Sequence, residues 1–158
     1  MAAEVSAVWP LAAGPASVTC SGYPRVATRT PSSHGGSIRC ARDFTLATLQ
    51  RWGIGDRSDD VVVVVSELLT NALRHGTPAA AAWPQPPVRL GLIHPGPCVL
   101  CAVSDPSDQV PEPREPDWLD ETGRGLHVVD ALSDDWGCTA PGRLGKVVWA
   151  TFATGSGR

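Results

Sequence analysis

The run Glu67-Leu68-Leu69-Thr70-Asn71-Ala72-Leu73-Arg74-His75-Gly76 places a carboxylate, a carboxamide and an imidazole at four-residue intervals in an otherwise apolar stretch. At about 100° per residue, a step of four returns nearly to the same side of an α-helix, so Glu67, Asn71 and His75 form one slowly drifting stripe. Val64, Val65, Leu68, Leu69, Ala72 and Leu73 take most of the remaining circumference, which predicts a helix buried on most sides with one narrow polar seam. In a cavity, the side-chain oxygen of Asn71 is a hard ligand suited to Mg²⁺. Glu67, one turn earlier, can position or deprotonate a hydroxyl or a water there. On a solvent-facing helix the same stripe would be only a polar edge, with Gly76 as its stop signal.

The elements around this helix follow from pattern and punctuation. Residues 1–17 are rich in Ala, Pro and Gly and lack periodicity, so a flexible tail is expected there. A single domain is then expected over residues 18–158, a length that can bury a real core. Residues 18–23 or 25–30 supply an edge strand, and Ser37 is the expected N-cap of a helix ending at Gly53. Its inner face should carry Ile38, Ala41, Phe44, Leu49 and Trp52.

The five valines 61–65 suit a strand by propensity. The apolar pattern running on to Gly76 is too long for one, and Ser58-Asp59-Asp60 reads as a cap and acidic first turn. Residues 88–94 and 99–104 read as an antiparallel hairpin, residues 126–132 as a short helix, and residues 136–139 and 147–153 as two further strands. Between hairpin and short helix, residues 106–122 carry four prolines and six carboxylates, a composition that excludes a regular element and suits a surface lid. The expected fold class is therefore α+β, a two-layer sandwich with helices on one face of a mixed or antiparallel sheet.

Composition removes several functional classes. A net charge of −3, with the 13 basic residues scattered along the chain, gives no electrostatic footprint for nucleic acid. No apolar stretch approaches a membrane span, and the N-terminus lacks the pattern of a signal peptide. Five cysteines without paired spacing argue for reduced thiols in the cytoplasm. Cys98-Val99-Leu100-Cys101 has CxxC wording, but a separation of three sends the side chains to opposite faces of a strand.

Two further features point at a nucleotide. Gly123-Arg124-Gly125 opens the short helix after the lid, where close backbone approach and free N–H groups favour phosphate. Asp105 ends a strand and offers a carboxylate that can accept from an adenine amino group. Each has an ordinary structural explanation as well, as a loop-to-helix junction and as a turn residue before proline.

In order and spacing these pieces resemble the GHKL ATPase superfamily, with its Bergerat-type fold. Glu67 to Asn71 resembles the family's E-x-x-x-N box, Asp105 its adenine-binding Asp, and Gly123-Arg124-Gly125-Leu126 its G-x-G-L box. The wording Ser66-Glu67-Leu68-Leu69-Thr70-Asn71-Ala72 with His75-Gly76, and the terminal Gly145-Lys146-Val147-Val148-Trp149, look most like the anti-sigma-factor serine kinase branch. The resemblance covers about residues 37–152.

It implies ATP and Mg²⁺ as cofactors, Asn71 on Mg²⁺, Glu67 as base or activator, Asp105 on adenine, and Gly123, Arg124, Gly125 and Leu126 around the phosphates. The partners it implies are a sigma factor and an antagonist protein phosphorylated on serine, and it is compatible with a homodimer. His75 either lines the adenine pocket or finishes the helix. Two departures stand out: Asp105-Pro106-Ser107-Asp108 lacks the D-x-G-x-G glycines, and Val147 stands where many relatives carry a Thr. Lys146 either compensates at phosphate or points to solvent. The enzyme reading draws on Glu67. A non-catalytic ATP-binding switch, acting through protein binding alone, draws on the altered Asp105 segment.

Overall fold

The computed structural model describes residues 24–32, 35–75, 87–107, 110, 124–139 and 145–155. The expected tail, most of the expected lid, Gly123 and the side chain of His75 lie outside the described residues.

Among the described residues, eight elements follow in the order β1 (Arg25–Arg29), α1 (Ser37–Trp52), α2 (Ser58–His75), β2 (Arg89–His94), β3 (Cys98–Asp105), α3 (Arg124–Leu132), β4 (Asp135–Cys138) and β5 (Lys146–Ala153). The strands form one sheet in the order β1-β2-β3-β5-β4, antiparallel at every pairing. Of the two sheet types expected, the antiparallel one is realised.

The valine run is helical. Val61, Val64 and Val65 are fully buried, whereas Val63 is exposed. That is a three-to-four-residue period rather than the alternation a strand would give. Tertiary packing overrides the strand propensity of these valines because α2 is clamped between α1, α3 and β3.

The sheet has two unlike faces. Leu90 and Leu92 of β2, Val99, Cys101 and Val103 of β3, and Val148, Ala150 and Phe152 of β5 share one core with Leu49 of α1 and the apolar sides of α2 and α3. Residues of the opposite parity, Ile93, Leu100 and Ala102, form a second cluster with Val26, Val147 and Trp149. Cys98 and Cys101 are therefore on opposite faces, and neither is in a disulfide.

Two expected caps are corrected. The first helical bond of α1 runs from Cys40 N–H to Gly36 O, so the cap is Gly36 at φ +92°, without a side-chain bond, and Ser37 is buried inside the first turn. In α2, Val61 N–H bonds to Arg57 O, and the Ser58 hydroxyl donates back to Gly55 O instead of accepting from the helix. A hydroxyl occupied as a donor to the preceding turn is not oriented toward the helix N–H groups.

Gly53 ends α1 as expected. At φ +74° its N–H reaches Gln50 O while Ile54 N–H reaches Leu49 O, closing the helix in a left-handed turn. The inner face of α1 also holds Thr45 and Thr48, both fully buried. Thr45 tolerates this because its hydroxyl donates to Ala41 O at 2.8 Å. Among the described residues, no helix is long and apolar enough to cross a membrane.

Candidate functional site

The polar stripe of α2 meets the start of α3. Glu67 and Asn71 are both half-buried, and Gly125, in the first turn of α3, is buried against them. A Cβ placed on Gly125 would stand 2.8 Å from Glu67 Oε2 and 3.5 Å from both Asn71 Oδ1 and Nδ2. Glycine is therefore what lets the backbone at the α3 N-terminus approach this carboxylate and carboxamide so closely. Leu126 is buried behind it, while Arg124 faces solvent at the first helical position.

The N–H groups of the first turn of a helix have no intrahelical acceptors and carry the positive end of its dipole. A carboxylate and a carboxamide beside such a turn have the chemistry that a phosphate-bound cation would use. Among the described residues there is no cluster of three or more His, Cys, Asp or Glu that could hold a metal. Beside Gly125 stand one carboxylate, that of Glu67, and one carboxamide, that of Asn71.

The other predicted group assembles where β3 ends and β5 begins. Asp105 and Lys146 are register partners across the two strands. Asp105 continues the parity of Val99, Cys101 and Val103, and Lys146 that of Val148, Ala150 and Phe152, so both belong to the helix face of the sheet. Lys146 Nζ lies 2.8 Å from Asp105 Oδ1, with the two side chains only 6% and 3% exposed, respectively. The alternative in which Lys146 points to solvent is thereby excluded.

Ser107, which the motif reading passed over, completes the cluster. Its N–H donates to Asp105 Oδ1 at 2.9 Å, and its hydroxyl oxygen accepts from Lys146 Nζ. The sequence signal was available: an Asp side chain accepting from the N–H two residues on is a standard turn, and Asp-Pro-Ser is turn wording.

Gly145, at φ +87°, permits the strand junction. A Cβ there would fall 1.9 Å from Asp105 O and 2.6 Å from Pro106 Cα, contacts that backbone atoms cannot relieve. Val147 packs in the second cluster on the opposite face, so a hydroxyl at that position would not face Asp105. Lys146 takes the helix-face place instead. Cys138 lies near this pair, and its thiol pKa is raised by burial and by the charge of Asp105, against the opposing charge of Lys146.

A separate clasp ties the helices to the sheet. Arg57, just before α2, reaches Asp60 at 3.0 Å, Asp134 at 3.2 Å and the carbonyl oxygen of Leu132 at 2.8 Å, with its guanidinium over the Phe152 ring. Burial opposes the charge of Arg57, but its hydrogen bonds to Asp134 and Asp60, together with their charges, hold its pKa above the ordinary arginine value.

Comparison with known proteins agrees with this architecture. The family described as histidine kinase-like ATPase domain matches residues 32–152. Among solved structures, the crystal structure of the RsbU and RsbW domains of Rv1364c from Mycobacterium tuberculosis superposes with a TM-score of 0.59 at 18% identity. That match covers 82% of this chain and 32% of the other, so the present chain spans about a third of that protein, and at such identity the likeness speaks to the fold. Comparison with curated proteins gives no match. With the family matched over most of the chain, and the α2 stripe, the glycine at α3 and the buried acid at the end of β3 lying within the match, this protein belongs to the histidine kinase-like ATPase family.

Proposed function

We propose that this chain binds ATP with Mg²⁺ and transfers the terminal phosphoryl group to a serine of a small antagonist protein, as an anti-sigma-factor kinase that also sequesters a sigma factor. The observation that carries this reading is the approach of Gly125 to Glu67 and Asn71, where a side chain on residue 125 would collide with the carboxylate. Phosphoryl transfer asks a protein chiefly for positioning and charge neutralisation.

Asn71 would hold Mg²⁺ through its side-chain oxygen, and the ion, when bound, would neutralise phosphate charge. Gly123, Arg124, Gly125 and Leu126 bring the N-terminus of α3 to the phosphates, and Asp105 accepts from the adenine amino group. Glu67 orients the attacking serine hydroxyl and takes its proton.

A second reading, an ATP-binding switch that regulates by protein contact alone, is favoured by the Asp-Pro-Ser turn standing where relatives carry glycines. One experiment separates the two. Purified partner is incubated with labelled ATP and Mg²⁺, using wild type and Glu67→Gln. Labelling by wild type that is lost in Glu67→Gln, while ATP still binds, supports the kinase. No labelling by wild type with ATP and partner both bound leaves the switch.

A further inference from the structure

Among the described residues, the Asp105–Lys146–Ser107 cluster does not use all of its hydrogen-bonding capacity. An ammonium has three donors, and Lys146 directs two of them, to Asp105 Oδ1 and to Ser107 Oγ. Asp105 accepts from Ser107 N–H and from Lys146 on the same oxygen, Oδ1. Among the described residues, the third Lys146 donor and Asp105 Oδ2 have no partner, although Lys146 is 5% and Asp105 3% exposed. Buried polar groups left without partners are uncommon, and each calls for an explanation.

The unused pair is one donor beside one acceptor, joined through a 2.8 Å ion pair and held on the helix face of the sheet. An aminopurine edge offers the complement: an amino N–H that donates, next to a ring nitrogen that accepts. Resting on the reading of this chain as an ATP site, we infer that Lys146 is a base-reading residue, donating to the adenine N1 while Asp105 Oδ2 accepts from the 6-amino group. Lys146 thus acts at the base rather than at the phosphates. Its ammonium is committed to Asp105 and Ser107, and Gly145 fixes the backbone immediately before it. Ser107 orients the ammonium by accepting one of its hydrogen bonds.

The test is calorimetric titration of the full chain, in Mg²⁺, with ATP, 1-deaza-ATP and 7-deaza-ATP. The first analogue replaces the N1 acceptor by C–H; the second changes the base on its other side. If Lys146 donates to N1, wild type binds 1-deaza-ATP weaker by about tenfold or more, the scale of a lost bond to a charged donor, and binds 7-deaza-ATP like ATP.

In Lys146→Met the distinction between ATP and 1-deaza-ATP disappears, a change that a purely structural counter-ion would not produce. Asp105→Asn/Lys146→Met, which removes both charges, serves as a second variant if the single one does not fold, and it too should bind ATP and 1-deaza-ATP alike. Equal binding of ATP and 1-deaza-ATP by wild type overturns the base-reading role while leaving the ATP site intact. An undiminished 1-deaza penalty in either variant overturns it as well. Failure of wild type to bind ATP at all overturns the reading of the site itself.

Discussion

Gly125 sits where any side chain would press on Glu67, its missing Cβ 2.8 Å from Oε2. The obstructing atom is the far end of a flexible side chain, so Gly125→Ala is relieved by moving the carboxylate rather than the backbone. Alanine in place of glycine within a helix is itself favourable by about 0.5–1 kcal/mol. The expected outcome is a protein as stable as wild type, in thermal melting, whose transfer of labelled phosphate falls at least about tenfold because Glu67 is displaced. Unchanged transfer would separate Glu67 from the chemistry.

Gly145 presents the opposite case, because its missing Cβ would meet the backbone of Asp105 and Pro106 and its φ is +87°. Neither contact can be relieved without moving the junction of β3 and β5. Gly145→Ala should lower stability by about 3 kcal/mol or more, read as a fall in the urea midpoint. A midpoint near wild type would show that this junction tolerates a side chain.

Removing one partner of the Asp105–Lys146 pair leaves a buried charge unpaired. Lys146→Met should cost about 3–5 kcal/mol, and Asp105→Asn/Lys146→Met should recover much of it. A double-mutant cycle by chemical denaturation measures the coupling; additive losses would mean that the pair does not act as a unit.

Arg57→Met should reduce stability by about 1–2 kcal/mol, because it removes partly exposed and therefore screened ion pairs together with a carbonyl bond and a contact over Phe152. The raised pKa of Arg57 means that this contribution is fully present below the ordinary arginine pKa and is lost only at pH above it, so urea titrations at pH 6 and pH 8 should show the same loss. A loss that vanished between those values would point to a different group.

Cys101 is fully buried, and burial pushes its thiol up to about 12 from 9.0. A pKa raised by folding gives stability that is complete below the unfolded value and lost as pH rises through the folded one. Wild type should therefore lose stability between about pH 9 and 12 more steeply than Cys101→Ala, with urea midpoints as the measure. Parallel pH profiles would remove the thiol from the account. At neutral pH a thiol reagent should modify exposed Cys40 long before Cys101.

Much of the architecture was legible because it rests on local period. The four-residue spacing of Glu67 and Asn71 fixed the two residues on one side of a helix, and the alternation of β3 and β5 fixed which of their residues share a face. Gly53 ended α1 where a glycine can turn left-handed at no steric cost. The cap at Gly36, in place of the expected Ser37, and the burial of Thr45 and Thr48 were not legible, since each depends on which atoms the neighbouring turn brings within hydrogen-bond reach.

The site divides in the same way. Sequence alone singled out Glu67, Asn71, Asp105 and the glycines around Arg124 as candidates for a nucleotide, because residue type and spacing carry that information. Tertiary structure decided that Gly125 abuts Glu67, that Lys146 pairs with Asp105, and that Val147 faces away from both. Asp105 and Lys146 are 41 residues apart, and no local pattern specifies a contact across that distance. Only the register of β3 against β5 places the ammonium on the carboxylate, and only burial of the pair makes a donor and an acceptor without partners among the described residues matter.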